Sequence, residues 1–194
     1  MSRKVQRVRY HLDARGITEL PLADVRIILR GADDLIATGG RSLLTKILKG
    51  SRARDVVSRQ LDRSPVYGVY RDLSEEDVLA RIDWTILNGY LQVIYDYRLP
   101  VLVYTPTGWD IERETYADEL VRGLDTLLAA GQRPYDMRYL KDKNRELIWR
   151  VLDIVTSKGD PKYVPVLEDW EQIDSRKVRQ RIRQVIQGLV KREA

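Results

Sequence analysis

The 194-residue sequence contains no cysteine, which excludes disulfide bonds, thiol nucleophiles and zinc sites with cysteine ligands. Its single histidine, His11, excludes multi-histidine metal sites and Ser–His–Asp triads. Because His11 lies in an arginine-rich amino-terminal stretch, we expect its side chain to be solvated. The carboxylate pairs, such as Asp33-Asp34 and Glu168-Asp169, are explained by positions on helix surfaces. We therefore predict a protein with no catalytic residues, no cofactor and no metal.

Two longer patterns are also missing. No apolar run approaches the ~20 residues of a membrane-spanning helix, and the basic start, MSRKVQRVRYHLDARG, lacks the apolar core of a signal peptide. No phosphate-cradling loop of the form GxxxxGK(S/T) is present, since the glycine cluster ATGGRSLLTK has neither its spacing nor its ending. We expect a cytoplasmic, nucleoid-associated protein without a nucleotide-driven motor.

The positive charge is unevenly distributed. The formal net charge is +5, but residues 1–70 carry 14 Lys/Arg against 7 Asp/Glu. Residues 71–111 carry 3 against 7, and residues 112–194 carry 17 against 15, with seven of those basic residues in Arg176–Arg192. A polyanion is therefore expected to meet the first third of the chain and the final helix. The alternative is that these charges are only solvated helix faces.

The apolar spacing up to residue 89 predicts helices. They cover Leu22–Ile36, with a break at Gly31, then Arg41–Leu48, then a basic turn and helix within Lys49–Leu61, where Gly50-Ser51 ends one helix and caps the next. Ser74 opens SEED, a capping box that starts another helix with a buried stripe and an end at Asn88-Gly89. The predicted stripe is Val78, Leu79, Ile82, Ile86 and Leu87.

A β-hairpin is predicted next. Tyr90–Tyr95 and Leu99–Thr105 are rich in Val, Ile, Leu and Tyr, and they are separated by Asp96-Tyr97-Arg98. Helix, helix and hairpin in this order are typical of a winged helix, a module that mostly binds nucleic acid.

Helical signals alone follow the hairpin. Helices are predicted at Thr115–Ala130, Tyr135–Ser157, Pro161–Glu171 and Arg176–Lys191. The fold class is therefore α+β, a winged helix followed by an all-α tail. We predict a basic arm at 1–20, a winged-helix domain at 21–112 and a helical domain at 113–194.

Five short segments carry a family resemblance. They are ILKGS (Ile47–Ser51), SPVYG (Ser64–Gly68), RDLS (Arg71–Ser74), GYL (Gly89–Leu91) and YTPTG (Tyr104–Gly108). In this order and spacing they resemble the RQC domain, the winged helix of RecQ-family DNA helicases, across roughly Arg41 to Ile111. The chain is most similar to the small stand-alone bacterial relatives called RQC-minor proteins. It lacks the cysteine zinc-binding subdomain that many RecQ enzymes carry.

The resemblance implies DNA binding with a preference for duplex ends, forks or branched structures. The resemblance implies that the phosphate contacts of the family fall on Ser51 and Lys49 of this chain. A further basic position of the family falls on Asp55, which cannot bind phosphate, so we assign that phosphate contact to Arg54. The free backbone N–H donors at the amino terminus of the predicted helix also favour phosphate binding at this turn. The predicted phosphate-binding residues are Lys46, Lys49, Ser51, Arg52 and Arg54.

The hairpin tip carries over as the wing tip, Tyr97, Arg98 and Leu99. An aromatic or apolar side chain there can stack on an exposed terminal base. The alternative is that Tyr97 packs on its own hairpin or projects into water. Arg81 is a further candidate DNA contact, although a solvated arginine explains it equally well.

The tail segment from Gly159 to Leu189 resembles one HEAT-type repeat, through Gly159-Asp160-Pro161, Pro165-Val166-Leu167, Asp174 and Val178-Arg179. In the final helix one face is expected to be buried, and Arg176, Arg179 and Arg183 gather on another face as candidate DNA contacts. A solvated or protein-docking face is the alternative.

The leading hypothesis is a non-catalytic DNA-binding protein that recognises ends, forks or branched DNA in repair, recombination or replication. Such a protein would open strands passively or with a motor from a partner helicase. The other hypotheses are a winged-helix transcription regulator with a dimerising tail and an adaptor that binds a helicase. The acidic start of the SEED helix argues against the regulator, because it disfavours docking in the major groove.

Overall fold

The computed structural model describes residues 8–191, so the predicted basic arm is described only from Val8 onward. The chain forms two compact units, the first ending at Glu112 and the second beginning at Arg113. The α-helices are α1 (Leu22–Asp33), α2 (Arg41–Lys49), α3 (Arg54–Val57), α4 (Glu75–Leu87), α5 (Pro106–Ala130), α6 (Arg145–Lys158), α7 (Val164–Glu171) and α8 (Arg176–Lys191). Short 3-10 turns lie at Leu61–Arg63, Arg138–Leu140 and Pro161–Tyr163. Across the described range, no helix combines the length and the apolar character needed to cross a membrane.

The first unit has the predicted winged-helix order. Strands β1 (Leu91–Asp96) and β2 (Leu99–Tyr104) follow α4 and pair antiparallel in register Asp96 to Leu99. One face of the hairpin packs on the helices through two side chains that are almost fully buried, Leu91 and Leu102. The α+β class and the wing after the helices are thereby confirmed.

Local caps determine where several of these helices begin or end. Gly50 ends α2 in the left-handed region, with φ 73°, and Gly89 follows α4 in the same way, with φ 74°. The Ser74 hydroxyl accepts a hydrogen bond from the backbone N–H of Asp77, so Ser74 caps the start of α4 as predicted. These signals act over a few residues, which is why the sequence reveals them.

The core of the first unit forms between α1, α2 and α4, whose apolar faces meet. The fully buried side chains there include Ile28, Leu29, Leu35, Leu44, Ile47, Leu48 and Ile82. Gly31 does not break α1 as predicted. An added Cβ at Gly31 would lie 3.1 Å from both Leu44 and Val66, so this glycine permits close packing inside a continuous helix. The helix ends at Asp33, earlier than the predicted Ile36.

Two further predictions about the first unit are wrong. Leu87 does not belong to the buried stripe of α4, because it is the last helical residue and its side chain is 56% exposed. The predicted helix Lys49–Leu61 shrinks to the four residues of α3, with Ala53 rather than Ser51 at its cap position. Only Val56 of α3 is buried, so a longer helix here would have no apolar face to stabilise it.

Helix α5 begins nine residues earlier than predicted. The Thr105 hydroxyl accepts a hydrogen bond from the backbone N–H of Gly108 at 3.0 Å, and Pro106 occupies the first helical position, where no N–H is needed. The segment Thr105–Gly108 therefore starts a helix as well as ending the strand. Helix α5 runs through the division between the two units at Glu112 and Arg113.

Within residues 113–191, the regular elements of the second unit are all α-helices or 3-10 turns. Trp170 and Tyr163 are fully buried at its centre, and the predicted apolar face of α8 is confirmed by the burial of Val178, Ile182, Val185 and Leu189. The Tyr163 hydroxyl donates to Asp125 at 2.7 Å, and this bond is the main reason that the pKa of Asp125 is lowered. The HEAT-type assignment of this unit stays a prediction.

The predicted helix Tyr135–Ser157 is wrong in its first half. The Asp136 carboxylate accepts a hydrogen bond from the backbone N–H of Arg138, which favours a turn, and the Asn144 side chain accepts one from Glu146 as the cap of the next helix. Helix α6 consequently begins only at Arg145. Similarly, the predicted helix at Pro161 opens with a 3-10 turn, and α7 begins at Val164.

Candidate nucleic-acid interface

Three of the five resemblance segments, ILKGS, SPVYG and RDLS, meet at the carboxyl end of α2. The backbone N–H of Gly68 donates to the carbonyl of Ile47 at 2.9 Å, and that of Tyr70 donates to Leu48 at 2.8 Å. Gly50 lies so close to Gly68 that an added Cβ would be 3.0 Å from the Gly68 Cα atom. Both glycines have φ 73°, so each also provides a left-handed turn. These motif residues join two chain segments.

Lys49 belongs to the same junction. Its ammonium donates to the backbone carbonyl oxygen of Arg71 at 2.7 Å and to that of Leu73. Two of its three donors thus hold the RDLS segment against the end of α2. The structure therefore gives Lys49 a structural role, which leaves it less available for the predicted phosphate contact.

Ser51 also makes contacts within the protein. Its backbone N–H donates to the carbonyl of Lys46 at 2.9 Å, and its hydroxyl accepts from the N–H of Ala53 at 3.2 Å. The Tyr67 hydroxyl donates to the Ser51 carbonyl. The sequence predicts a helix here whose amino terminus offers free backbone N–H donors to phosphate. That long helix is not formed, because α3 has only four residues.

The exposed cations near this turn differ in their partners. Lys46 pairs with Asp55 at 2.6 Å, with both side chains partly exposed, and the hydrogen bond from Lys46 is the main reason that the pKa of Asp55 is lowered. Arg52 and Arg54 are exposed and make no ion pair with any residue between 8 and 191. These two arginines are the predicted phosphate ligands that the structure leaves most accessible.

The wing tip is a two-residue loop with an apolar surface. Tyr97 and Arg98 connect the strands, and Tyr97 has φ 54°. The side chains of Tyr97 and Leu99 are 70% and 63% exposed, and the Arg98 guanidinium lies 5.3 Å from the centre of the Tyr97 ring. Tyr97 is therefore not buried against its own hairpin, and both large side chains are presented to solvent.

The base of the wing is fixed by the two remaining resemblance segments. The Thr105 hydroxyl donates to the Gly89 carbonyl at 2.6 Å. An added Cβ at Gly108 would lie 1.9 Å from the Tyr90 carbonyl oxygen, so only glycine fits this close approach. The wing thus projects from a tightly packed base.

An amino-terminal segment lies against the wing and α4. The Tyr95 hydroxyl donates to the carbonyl of Val8 at 2.8 Å. Further along, Asp83 of α4, which is 2% exposed, accepts from the backbone N–H of Asp13 and from the Arg41 guanidinium. From here on, we use the word arm for residues 8–17 alone, a part of the basic arm predicted at 1–20. Its position could not be predicted from the sequence, because Asp13 and Asp83 are 70 residues apart.

We expect Asp83→Ala to release the arm. The substitution leaves the Arg41 cation, 16% exposed, without its carboxylate, and it removes the acceptor for Asp13. Breaking one side of such a buried pair costs about 3–5 kcal/mol. Trypsin should then cleave after Arg9 and Arg15 much faster than in the wild-type protein. In the control, Asp96→Ala at the exposed wing, cleavage should not accelerate; equal rates for wild type and Asp83→Ala would refute the anchor.

The other predicted contacts are not all brought together. Arg81 lies back on its own helix, where it donates to the Asp77 carbonyl at 3.1 Å and has its guanidinium 5.9 Å from the Tyr70 ring centre. In the second unit, Arg176, Arg179 and Arg183 lie on the same face of α8, as predicted. Arg183 is paired there with Glu171 at 2.6 Å.

Comparison with known proteins assigns the first unit and the start of the next. The family model for the RQC domain matches residues 24–120. No curated protein and no solved structure gives a significant match. The closer similarity to stand-alone bacterial relatives stays a prediction. On its fold and on this match, which covers half of its length, the chain belongs to the RQC domain family, a family of DNA-binding winged-helix domains.

Proposed function

We propose that this chain is a non-catalytic DNA-binding protein that recognises duplex ends, forks or branched DNA, in repair or recombination. The observation that carries the proposal is the exposed wing tip, with Tyr97 on the two-residue loop and Leu99 at the start of β2. Adjacent large apolar side chains on a hairpin tip gain little from water. An aromatic ring such as that of Tyr97 gains about 1–3 kcal/mol when a base stacks on it.

Positive charge supplies the second part of the proposal. Arg52 and Arg54 are accessible for phosphate contacts. Lys46 can join them, because an exposed pair such as Lys46–Asp55 contributes only about 0–1 kcal/mol and a phosphate can take the place of the carboxylate. The proposed grip on the duplex therefore centres on these three side chains, with Lys49 and Ser51 shaping the turn that holds them.

The same features favour an end-reading protein over a sequence-reading regulator. A regulator places a helix in the major groove and contacts base edges from its first turns. The first turn of α4 carries Glu75, Glu76 and Asp77, which repel phosphates. Strand opening by this chain is proposed to be passive, or coupled to a helicase partner, in the nucleoid.

Fluorescence anisotropy with fork, overhang, blunt-duplex and single-stranded DNA tests this function across a salt series. We expect the fork and the overhang to bind more tightly than blunt duplex, and all affinities to fall steeply with salt. Arg52→Ala/Arg54→Ala should weaken binding to every duplex-containing DNA and reduce the salt slope by about 1.8, for two lost phosphate contacts.

The matched control is Arg26→Ala/Arg63→Ala, which removes the same charge from exposed positions of the first unit. It should retain most of the wild-type affinity and slope. Absence of binding to all four DNAs would reject the proposed function. Equal effects of the two double variants would reject the grip at Arg52 and Arg54.

A further inference from the structure

A groove of about 560 Å³ lies in the first unit beside the wing. One side is formed by arm residues 8–10, another by Leu99–Leu102 of β2, and a third by residues 38–43, where α2 begins. Leu99 belongs both to this groove and to the exposed wing tip. The groove therefore opens next to the place where a duplex end is proposed to meet the wing.

Cations outnumber carboxylates along the groove. Its lining includes Arg9, Arg41, Lys46 and Arg59, against the single carboxylate of Asp55. Arg41 is held by Asp83, but Arg9 and Arg59 are exposed and make no ion pair within the described part of the chain. The Arg59 guanidinium is oriented by a hydrogen bond to a neutral acceptor, the Thr38 hydroxyl, at 3.0 Å.

The side of the groove that the wing forms is apolar. Val93, Leu99 and Val101 of the wing line it, together with Pro100. Surfaces that bind single-stranded nucleic acid combine cations for the phosphates with apolar or aromatic contacts for the bases. A purely acidic peptide would use the cations and leave the apolar side without a partner, which favours a nucleic-acid strand as the occupant.

The arm side of the groove is held in place before any ligand arrives. The Val8 backbone bonds to the wing through both its N–H, which donates to the Arg98 carbonyl at 3.2 Å, and its carbonyl, which accepts from Tyr95. Asp13 is fixed to Asp83 at the other end. Binding in a preformed groove avoids the entropic cost of ordering the arm.

We propose that this groove holds a single DNA strand that has separated from the duplex at the wing tip, with its phosphates on Arg9 and Arg59. The proposal rests on the proposed function and adds a path for the displaced strand. It also gives the arm a role, since the arm forms the side that carries Arg9.

The test compares Arg9→Ala/Arg59→Ala with wild type on a fork with single-stranded tails and on blunt duplex. Affinity for the fork should fall roughly three- to tenfold, and its salt slope should fall by about 1.4, because each single-strand phosphate contact contributes about 0.7. Blunt-duplex affinity should stay within twofold. Arg9→Lys/Arg59→Lys should restore fork binding, and Arg26→Ala/Arg63→Ala should not reproduce the loss.

Three outcomes would overturn the groove as a strand path. Unchanged fork binding by Arg9→Ala/Arg59→Ala, while a wing variant still weakens it, rejects the groove and leaves the proposed function intact. The second outcome is competition by an oligoglutamate. If it displaces the single-stranded tail of the fork as well as an oligothymidine of equal charge does, and if this competition depends equally on Arg9 and Arg59, the groove is a site for acidic peptides instead. Absence of DNA binding by the wild-type protein rejects both proposals.

Discussion

Replacing Tyr97 and Leu99 together with alanine is expected to remove the preference for forked over blunt DNA. Both side chains are mostly exposed, so their loss costs the folded state little. If Tyr97 stacks on a terminal base, about 1–3 kcal/mol is lost with its ring, or roughly tenfold in affinity for every 1.4 kcal/mol, and the apolar contact of Leu99 is lost as well. Anisotropy on fork and blunt duplex measures the ratio directly.

The control for the wing variant is Leu87→Ala/Tyr139→Ala. These side chains are also large and exposed, at 56% and 43%, but they lie outside the wing. We expect this variant to keep the wild-type ratio of fork to blunt affinity. An unchanged ratio in the Tyr97→Ala/Leu99→Ala protein would show that the wing does not act as a wedge.

Glu112→Ala is expected to lower the free energy of unfolding by about 3 kcal/mol. Glu112 is fully buried in α5, and its carboxylate lies 3.9 Å from the Arg30 guanidinium of α1, which is 7% exposed. Removing the carboxylate leaves a buried cation whose other carboxylate, Asp33, is 3.7 Å away and partly exposed. That remaining contact keeps the loss near the lower end of the range for broken buried pairs. Urea denaturation followed by circular dichroism measures it.

Two control variants separate the loss of the Arg30–Glu112 ion pair from the general effect on stability of shortening a side chain of α5. Glu114→Ala removes a 40% exposed carboxylate that pairs with Arg150 on the surface, and it should cost at most about 1 kcal/mol. Arg30→Met/Glu112→Leu removes both buried charges and should recover much of the stability. If Glu112→Ala were as stable as wild type, the pair would not stabilise the first unit.

The sequence predicted best those features that depend on neighbouring residues. The caps at Ser74, Gly50 and Gly89 act over single turns, and the strand pattern of the wing needs only alternation within six residues. Its failures also have local explanations. Asn144 caps the start of α6, and α3 stops early because only its Val56 reaches the core.

The candidate site was predicted less completely. Arg52, Arg54 and the wing tip are exposed in the way that their predicted roles require. Arg9 and Arg59 were missed, because nothing in the sequence places the arm beside α2 and the wing. The only signal that could have pointed to them is the excess of basic residues before residue 70.

The sequence alone determined the winged-helix order and the family, since five short segments and a hairpin pattern suffice for both. The tertiary structure alone decided what several of those residues do. Lys49 acts on carbonyls 22 and 24 residues away, Asp83 holds Asp13 across 70 residues, and Glu112 meets Arg30 from another helix. Because these partners are distant in the chain and close only after folding, no local pattern in the sequence reveals them.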